Sequence, residues 1–191
     1  MKTVQHKFIV GIGGSAGALN AYKALLDAMP ADTGMAFVII SHMNPTAHSE
    51  LAKILQRHTE MSVTVATDEM PILPNHVYVI PADADLTMDN FRFKVISPRS
   101  GRNKQVDLFF ISLANEMGAR AVGIILSGYD GDGSIGCKHI KANGGKIFAQ
   151  DMSAEINQMP LSALAAGCVD FVLPLSKIPA KLKKLAAVLK I

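Results

Sequence analysis

Gly11-Ile12-Gly13-Gly14-Ser15-Ala16-Gly17 comes directly after the apolar run that begins at Phe8, and a stretch with helical periodicity follows it. A buried strand that ends in glycine and alanine and passes at once into a helix opens a strand–turn–helix unit. The strand covers 7–12. The helix covers about 16–29, with Leu19, Tyr22, Leu25, Leu26 and Met29 on one face and Pro30 as its stop. A second strand at 35–41 is apolar throughout, as expected of a parallel strand covered on both faces. Asn44 then reads as a helix cap with Pro45 in the first turn, and Ala47, Leu51, Ile54 and Leu55 form the buried stripe of the next helix.

From residue 61 to 96 the pattern shortens and alternates. Strands are expected at 62–66, 76–80, 86–88 and 91–96, some of them in a hairpin through Asp89-Asn90. A helix at 106–117 carries Val106, Phe109, Phe110, Leu113 and Met117 inward. After it the sequence alternates again: strand 122–126, helix 134–142, strand 146–149, helix 160–166, strand 169–173 and a closing helix at 176–189. Alternating strands and helices imply an α/β fold of three layers, α/β/α. The expected sheet is doubly wound and mostly parallel, with roughly seven strands and a short antiparallel hairpin. No repeat, low-complexity tract or linker interrupts residues 1–191, which read as a single domain.

With 191 residues, 49% of them hydrophobic and 18% charged, the chain is long and apolar enough for a full core. The net charge of +3 owes part of its excess to Lys181, Lys183, Lys184 and Lys190, whose spacing suits a solvated helix face. With no tryptophan and no basic patch interleaved with aromatic residues, a nucleic-acid role has little support. Cys137 and Cys168 fit no metal or redox spacing, and two free thiols suit a reducing cytoplasm. The first twenty residues lack a signal-peptide core, and no stretch is long enough for a membrane span. The chain reads as soluble and cytoplasmic.

Ligands of open parallel sheets bind at the carboxyl ends of the strands, and three polar positions fall there. Ser15 lies in a G-x-S-x-G pattern, whose small residues permit a sharp turn that exposes the hydroxyl near the free amides of a helix start. The same segment fits a dinucleotide fingerprint, Gly11-x-Gly13-x-x-Ala16, and small residues also allow plain close packing of helix on sheet. His42 ends the second strand, where a dinucleotide site would carry Asp or Glu, and there it can serve Ser15 as general base. His6, His58, His76 and His139 have no such placement; His48 could approach from the next helix. Ser127-Gly128-Tyr129-Asp130-Gly131-Asp132-Gly133 follows the 122–126 strand. Asp130 or Asp132 could accept the second imidazole N–H. The alternatives are a capped turn or a divalent-metal loop, the latter poor in oxygen ligands. The order serine, histidine, aspartate differs from that of α/β-hydrolases.

Across about residues 8–189 these pieces resemble the catalytic domain of the chemotaxis protein-glutamate methylesterases (CheB type). The landmarks are residues 12–17, His42-Met43, the stretches 73–81 and 106–109, residues 121–128 with Asp132-Gly133, Ala149-Gln150-Asp151 and Met159-Pro160. The resemblance implies Ser15 as nucleophile, His42 as base and Asp132 as orienting acid, with the backbone amides of Ala16 and Tyr129 as oxyanion donors. It also implies γ-glutamyl methyl esters on the cytoplasmic region of chemoreceptors as substrates, with methanol released and no metal or organic cofactor. Some members also deamidate glutamine by the same acyl-enzyme chemistry. The family often carries a receiver domain before this one that is not in this sequence, which leaves a longer parent protein or a separate receiver or methyltransferase as the candidate sources of regulation. Asn44 between Met43 and Pro45 is as in relatives fused to a methyltransferase, 102–105 replaces a typical Arg/His-Pro-Ser run, and Asp130 stands where the family usually has glycine. The other readings are a nucleotide-binding Rossmann-like domain and a non-catalytic receptor-binding module.

Overall fold

The computed structural model describes residues 7–42 and 48–188. Seven parallel strands form one sheet: β1 (Ile9–Gly14), β2 (Ala36–Ser41), β3 (Ser62–Val65), β4 (His76–Val79), β7 (Ala121–Ile125), β8 (Lys146–Gln150) and β9 (Phe171–Leu173). Their spatial order is β3-β4-β2-β1-β7-β8-β9. A separate antiparallel hairpin joins β5 (Asp85–Asp89) to β6 (Arg92–Ile96). The helices are α1 (Ala18–Asp27), α2 (His48–Gln56), α3 (Gln105–Met117), α4 (Ser134–Ala142), α5 (Gln158–Ala165) and α6 (Ile178–Val188).

The apolar residues of β1 and β2 alternate between two cores, as a strand's period of two requires. One core packs them against α1, α2 and α6 through Tyr22, Leu25, Leu51, Leu55, Ile178 and Leu182. The other packs them against α3, α4, α5 and the hairpin through Phe109, Phe110, Ile140, Met159, Leu86 and Phe93. The expected three-layer doubly wound architecture is therefore the observed one. From β1 the chain passes to β2, then to the edge strand β3, and comes back to β4 between β3 and β2; it returns through the hairpin and α3 to β7 on the other side of β1. The winding thus reverses between β1 and β7, and parallel α/β sheets open a crevice at such a point.

Several boundaries differ from the expectations. The first strand runs to Gly14 rather than 12, because Gly13 and Gly14 pair in register with Ile40 and Ser41 of β2. The first helix starts at Ala18, after a left-handed Gly17 (φ 74), so its buried stripe is Ala18, Ala21, Tyr22, Leu25 and Leu26. Leu19 lies off that stripe and is exposed. The hairpin turns through Asn90 and Phe91, both at positive φ (51 and 57), since Asp89 already pairs with Arg92. The pieces at 62–66 and 76–80 join the parallel sheet rather than an antiparallel insertion. The Asn44 cap, Pro45 and Ala47 lie outside the described residues. Lys183 and Lys184 are exposed, as the solvated-face reading expects, while Lys181 lies 4.3 Å from the centre of the Phe171 ring. Among the described residues no helix is long and apolar enough to cross a membrane.

Helix α3 packs directly on glycines of the sheet. A Cβ at Gly11 would fall 2.7 Å from the Phe110 ring, one at Gly13 2.6 Å from Val106, and one at Gly123 2.8 Å from Phe110. The glycines of the apparent fingerprint therefore serve helix packing within β1, and the turn itself is left to Gly14, Ser15, Ala16 and Gly17. Gly11→Ala is expected to lower the stability of the fold by about 1–3 kcal/mol through overpacking against α3, measured by urea denaturation.

Candidate active site

Ser15, His42 and Asp132 come from the carboxyl ends of three adjacent strands, β1, β2 and β7. Ser15 and His42 each lie one residue beyond the Gly14–Ser41 pair, and the His42 amide donates to the Gly14 carbonyl at 3.3 Å. Strand register thus places serine and histidine opposite each other.

The Ser15 turn is tied down from two directions. Its amide donates to the Ser127 carbonyl at 2.9 Å, and its carbonyl accepts from the Ala18 amide at 3.1 Å as α1 begins. The buried Ser127 hydroxyl donates to the Ala16 carbonyl at 2.9 Å and accepts from the Ile156 amide at 3.0 Å. The Ser127 amide donates to Gln150 Oε1 at 3.2 Å. Gly128 is pressed between neighbours: a Cβ there would meet the Met159 sulfur at 2.2 Å and Ser15 Cβ at 2.9 Å. Ser127, Gln150 and Met159 were legible only as landmarks of a resemblance; their roles as supports of the turn come from long-range contacts with no local signature.

The His42 side chain is 8% exposed. Its Nε2 donates to Asp132 Oδ2 at 2.5 Å. An ionised carboxylate only accepts, so this contact puts a ring proton on Nε2, and in the neutral imidazole Nδ1 is the acceptor. Nδ1 is buried and has no hydrogen-bond partner. Asp130 Oδ2 lies 3.7 Å from it. Ser15 Oγ likewise has no partner among the described residues.

Asp132 is buried, with no exposed side-chain surface. Its carboxylate accepts from the Val106 amide at 3.0 Å and the Asp107 amide at 2.9 Å, in the first turn of α3. These donors have no partner inside a helix, and the helix end is electropositive, so a carboxylate from another loop caps α3 and is itself held rigid. Neighbouring Asp107 is pushed up by burial, pulled back in part by the Gly136 amide, and pushed up again by Asp132. Asp130 takes the left-handed conformation (φ 75), and its Oδ1 accepts from the Asp132 amide at 2.9 Å. Of the two acids considered, Asp132 touches the imidazole at hydrogen-bond distance, and Asp130 shapes the loop and faces the other ring nitrogen.

The Ala16 and Tyr129 amides have no acceptor among the described residues, and both residues are exposed. The remaining described histidines lie elsewhere: His58 pairs with Asp27 at 3.0 Å, the His76 ring contacts the Pro74 carbonyl, and His139 is exposed on α4. The His48 side chain, Met43 and His6 lie outside the described residues. Cys137 and Cys168 are free and buried in the same core.

Residues 10–182 match the family model described as CheB methylesterase. A crystal structure of the Thermotoga maritima CheB methylesterase catalytic domain superposes with a TM-score of 0.86 at 29% identity, covering 93% of this chain and 98% of that one. Proteins named protein-glutamate methylesterase/protein-glutamine glutaminase from Hydrogenovibrio crunogenus and Xanthomonas oryzae pv. oryzae are 34% and 36% identical, over 93% and 94% of this chain. The chain spans about half the length of these two, 48% and 52%. A Leptospira interrogans protein provisionally given the same name is 34% identical over 87% of this chain and 89% of its own length. With a family model covering most of its length and relatives above 30% identity, the chain belongs to the CheB methylesterase family.

Proposed function

We propose that Ser15, His42 and Asp132 form the catalytic triad of a serine hydrolase that demethylates glutamate γ-methyl esters on chemoreceptors. The observation that carries this reading is the buried His42 imidazole, bonded through Nε2 to Asp132 and unpartnered at Nδ1, opposite Ser15 across two paired strands. Family membership supports the reaction class, carboxylic ester hydrolysis.

In this mechanism Nδ1 of His42 takes the Ser15 proton while Ser15 Oγ attacks the γ-ester carbonyl. Asp132 keeps the ring in the required tautomer and stabilises the imidazolium. The Ala16 and Tyr129 amides hold the oxyanion. The imidazolium then protonates the departing methoxide, methanol leaves, and water attacks the acyl-enzyme with His42 again as base. Each step uses this chain's own groups and water. The substrate is the cytoplasmic region of a methylated receptor, and the enzyme acts in the cytoplasm.

Methanol release from a methylated receptor cytoplasmic fragment is expected for the wild-type protein and should fall by at least about 10³-fold in Ser15→Ala. Comparable rates would overturn the nucleophile. Asp132→Asn is expected to lower turnover on the order of 10²–10⁴-fold, more than Asp130→Asn does. The reverse ranking in steady-state kinetics would make Asp130 the orienting acid. A serine-directed phosphonate should label Ser15, which a non-catalytic receptor-binding module would not allow.

A further inference from the structure

We propose that Asp130 biases the Ser15 site toward amide over ester substrates, so that this chain favours glutamine deamidation relative to glutamate demethylation. The inference rests on the hydrolase reading above and deepens it.

The leaving group must accept a proton from His42 Nδ1, so it comes within about 2.6–3.2 Å of that atom. Asp130 Oδ2 lies 3.7 Å from the same nitrogen, on a side chain that is 26% exposed. It cannot swing freely, because Oδ1 is engaged by the Asp132 amide and the backbone is fixed in the left-handed region. The carboxylate thus flanks the position where the leaving group departs.

The two leaving groups differ in what they offer a carboxylate. A glutamine γ-amide nitrogen carries two N–H donors, and it gains positive charge as it is protonated. A methyl ester oxygen carries no donor and presents lone pairs to the anion. In deamidation the Ser15 Oγ–Cδ bond forms and the Cδ–N bond breaks. Its electron pair stays on nitrogen, which takes the His42 proton and leaves as ammonia; water then releases the glutamate carboxylate. Asp130 stabilises the nitrogen as it is protonated, so its effect falls on kcat for the amide. A site with a fixed acceptor for a substrate N–H discriminates against the analogue that lacks it.

The test measures ammonia and methanol release from one receptor cytoplasmic fragment prepared in its glutamine and methyl-ester forms. Wild type is compared with Asp130→Asn, which keeps an acceptor for the Asp132 amide, and with Asp130→Gly, which suits the positive φ. The ratio of deamidation to demethylation kcat is expected to fall about tenfold or more in both variants. Both reactions proceeding with an unchanged ratio overturns the role of Asp130 alone. Absence of both reactions together with no phosphonate labelling of Ser15 overturns the hydrolase reading, and this inference with it.

Discussion

The Asp132 carboxylate is the point on which the site depends. Four things meet there: the loop after β7, two amides of the first turn of α3, the His42 ring, and through His42 the end of β2. Buried carboxylates are costly unless hydrogen-bonded, and here a helix terminus supplies both the donors and the favourable potential. That terminus is within reach only because α3 lies almost against the sheet. Gly11, Gly13 and Gly123 remove the side chains that would hold it off, and Val106 and Phe110 fill the space. A packing feature of the core thereby sets the geometry of a buried histidine at the carboxyl end of the sheet.

The same dependence explains why the loop from Ser127 to Gly133 carries so many constraints. Asp130 and Gly133 both take positive φ, and Gly128 admits the Met159 sulfur against the Ser15 turn. Asp107 adds a second tether, since its Oδ1 accepts from the Gly136 amide and links α3 to α4. Negative charge is concentrated here by Asp107, Asp130 and Asp132, and burial raises the proton affinity of Asp107. The positive counterparts are the backbone amides of Val106, Asp107 and Gly136.

Much of this was legible in the chain before any coordinates. The alternation of apolar runs with helical stretches marked the layers, and the apolar continuity of the second strand marked burial on both faces. Ser15 and His42 stood out because a strand end followed by a polar residue is where parallel sheets place ligands. What was not legible was why the glycines of the first strand are there, since turn, phosphate cradle and close packing all call for the same residue. The structure divides them: Gly11 and Gly13 admit α3, and Gly17 supplies the left-handed turn. Leu19 misled for a related reason, because a helix that starts two residues later than expected rotates its buried face.

Local chemistry in the sequence determined the fold class, the strand ends and the residue types at the site, because periodicity and turn residues act over a few positions. It left Asp130 and Asp132 as equal candidates, two residues apart in a loop of alternating glycines and acids. The resemblance pointed to Asp132, and the tertiary structure shows which of the two lies at hydrogen-bond distance from the imidazole. Asp132 reaches both an imidazole 90 positions earlier and the amides of a helix more than 20 positions earlier. Those are long-range distances set by how closely α3 packs on β1, and no local pattern encodes them.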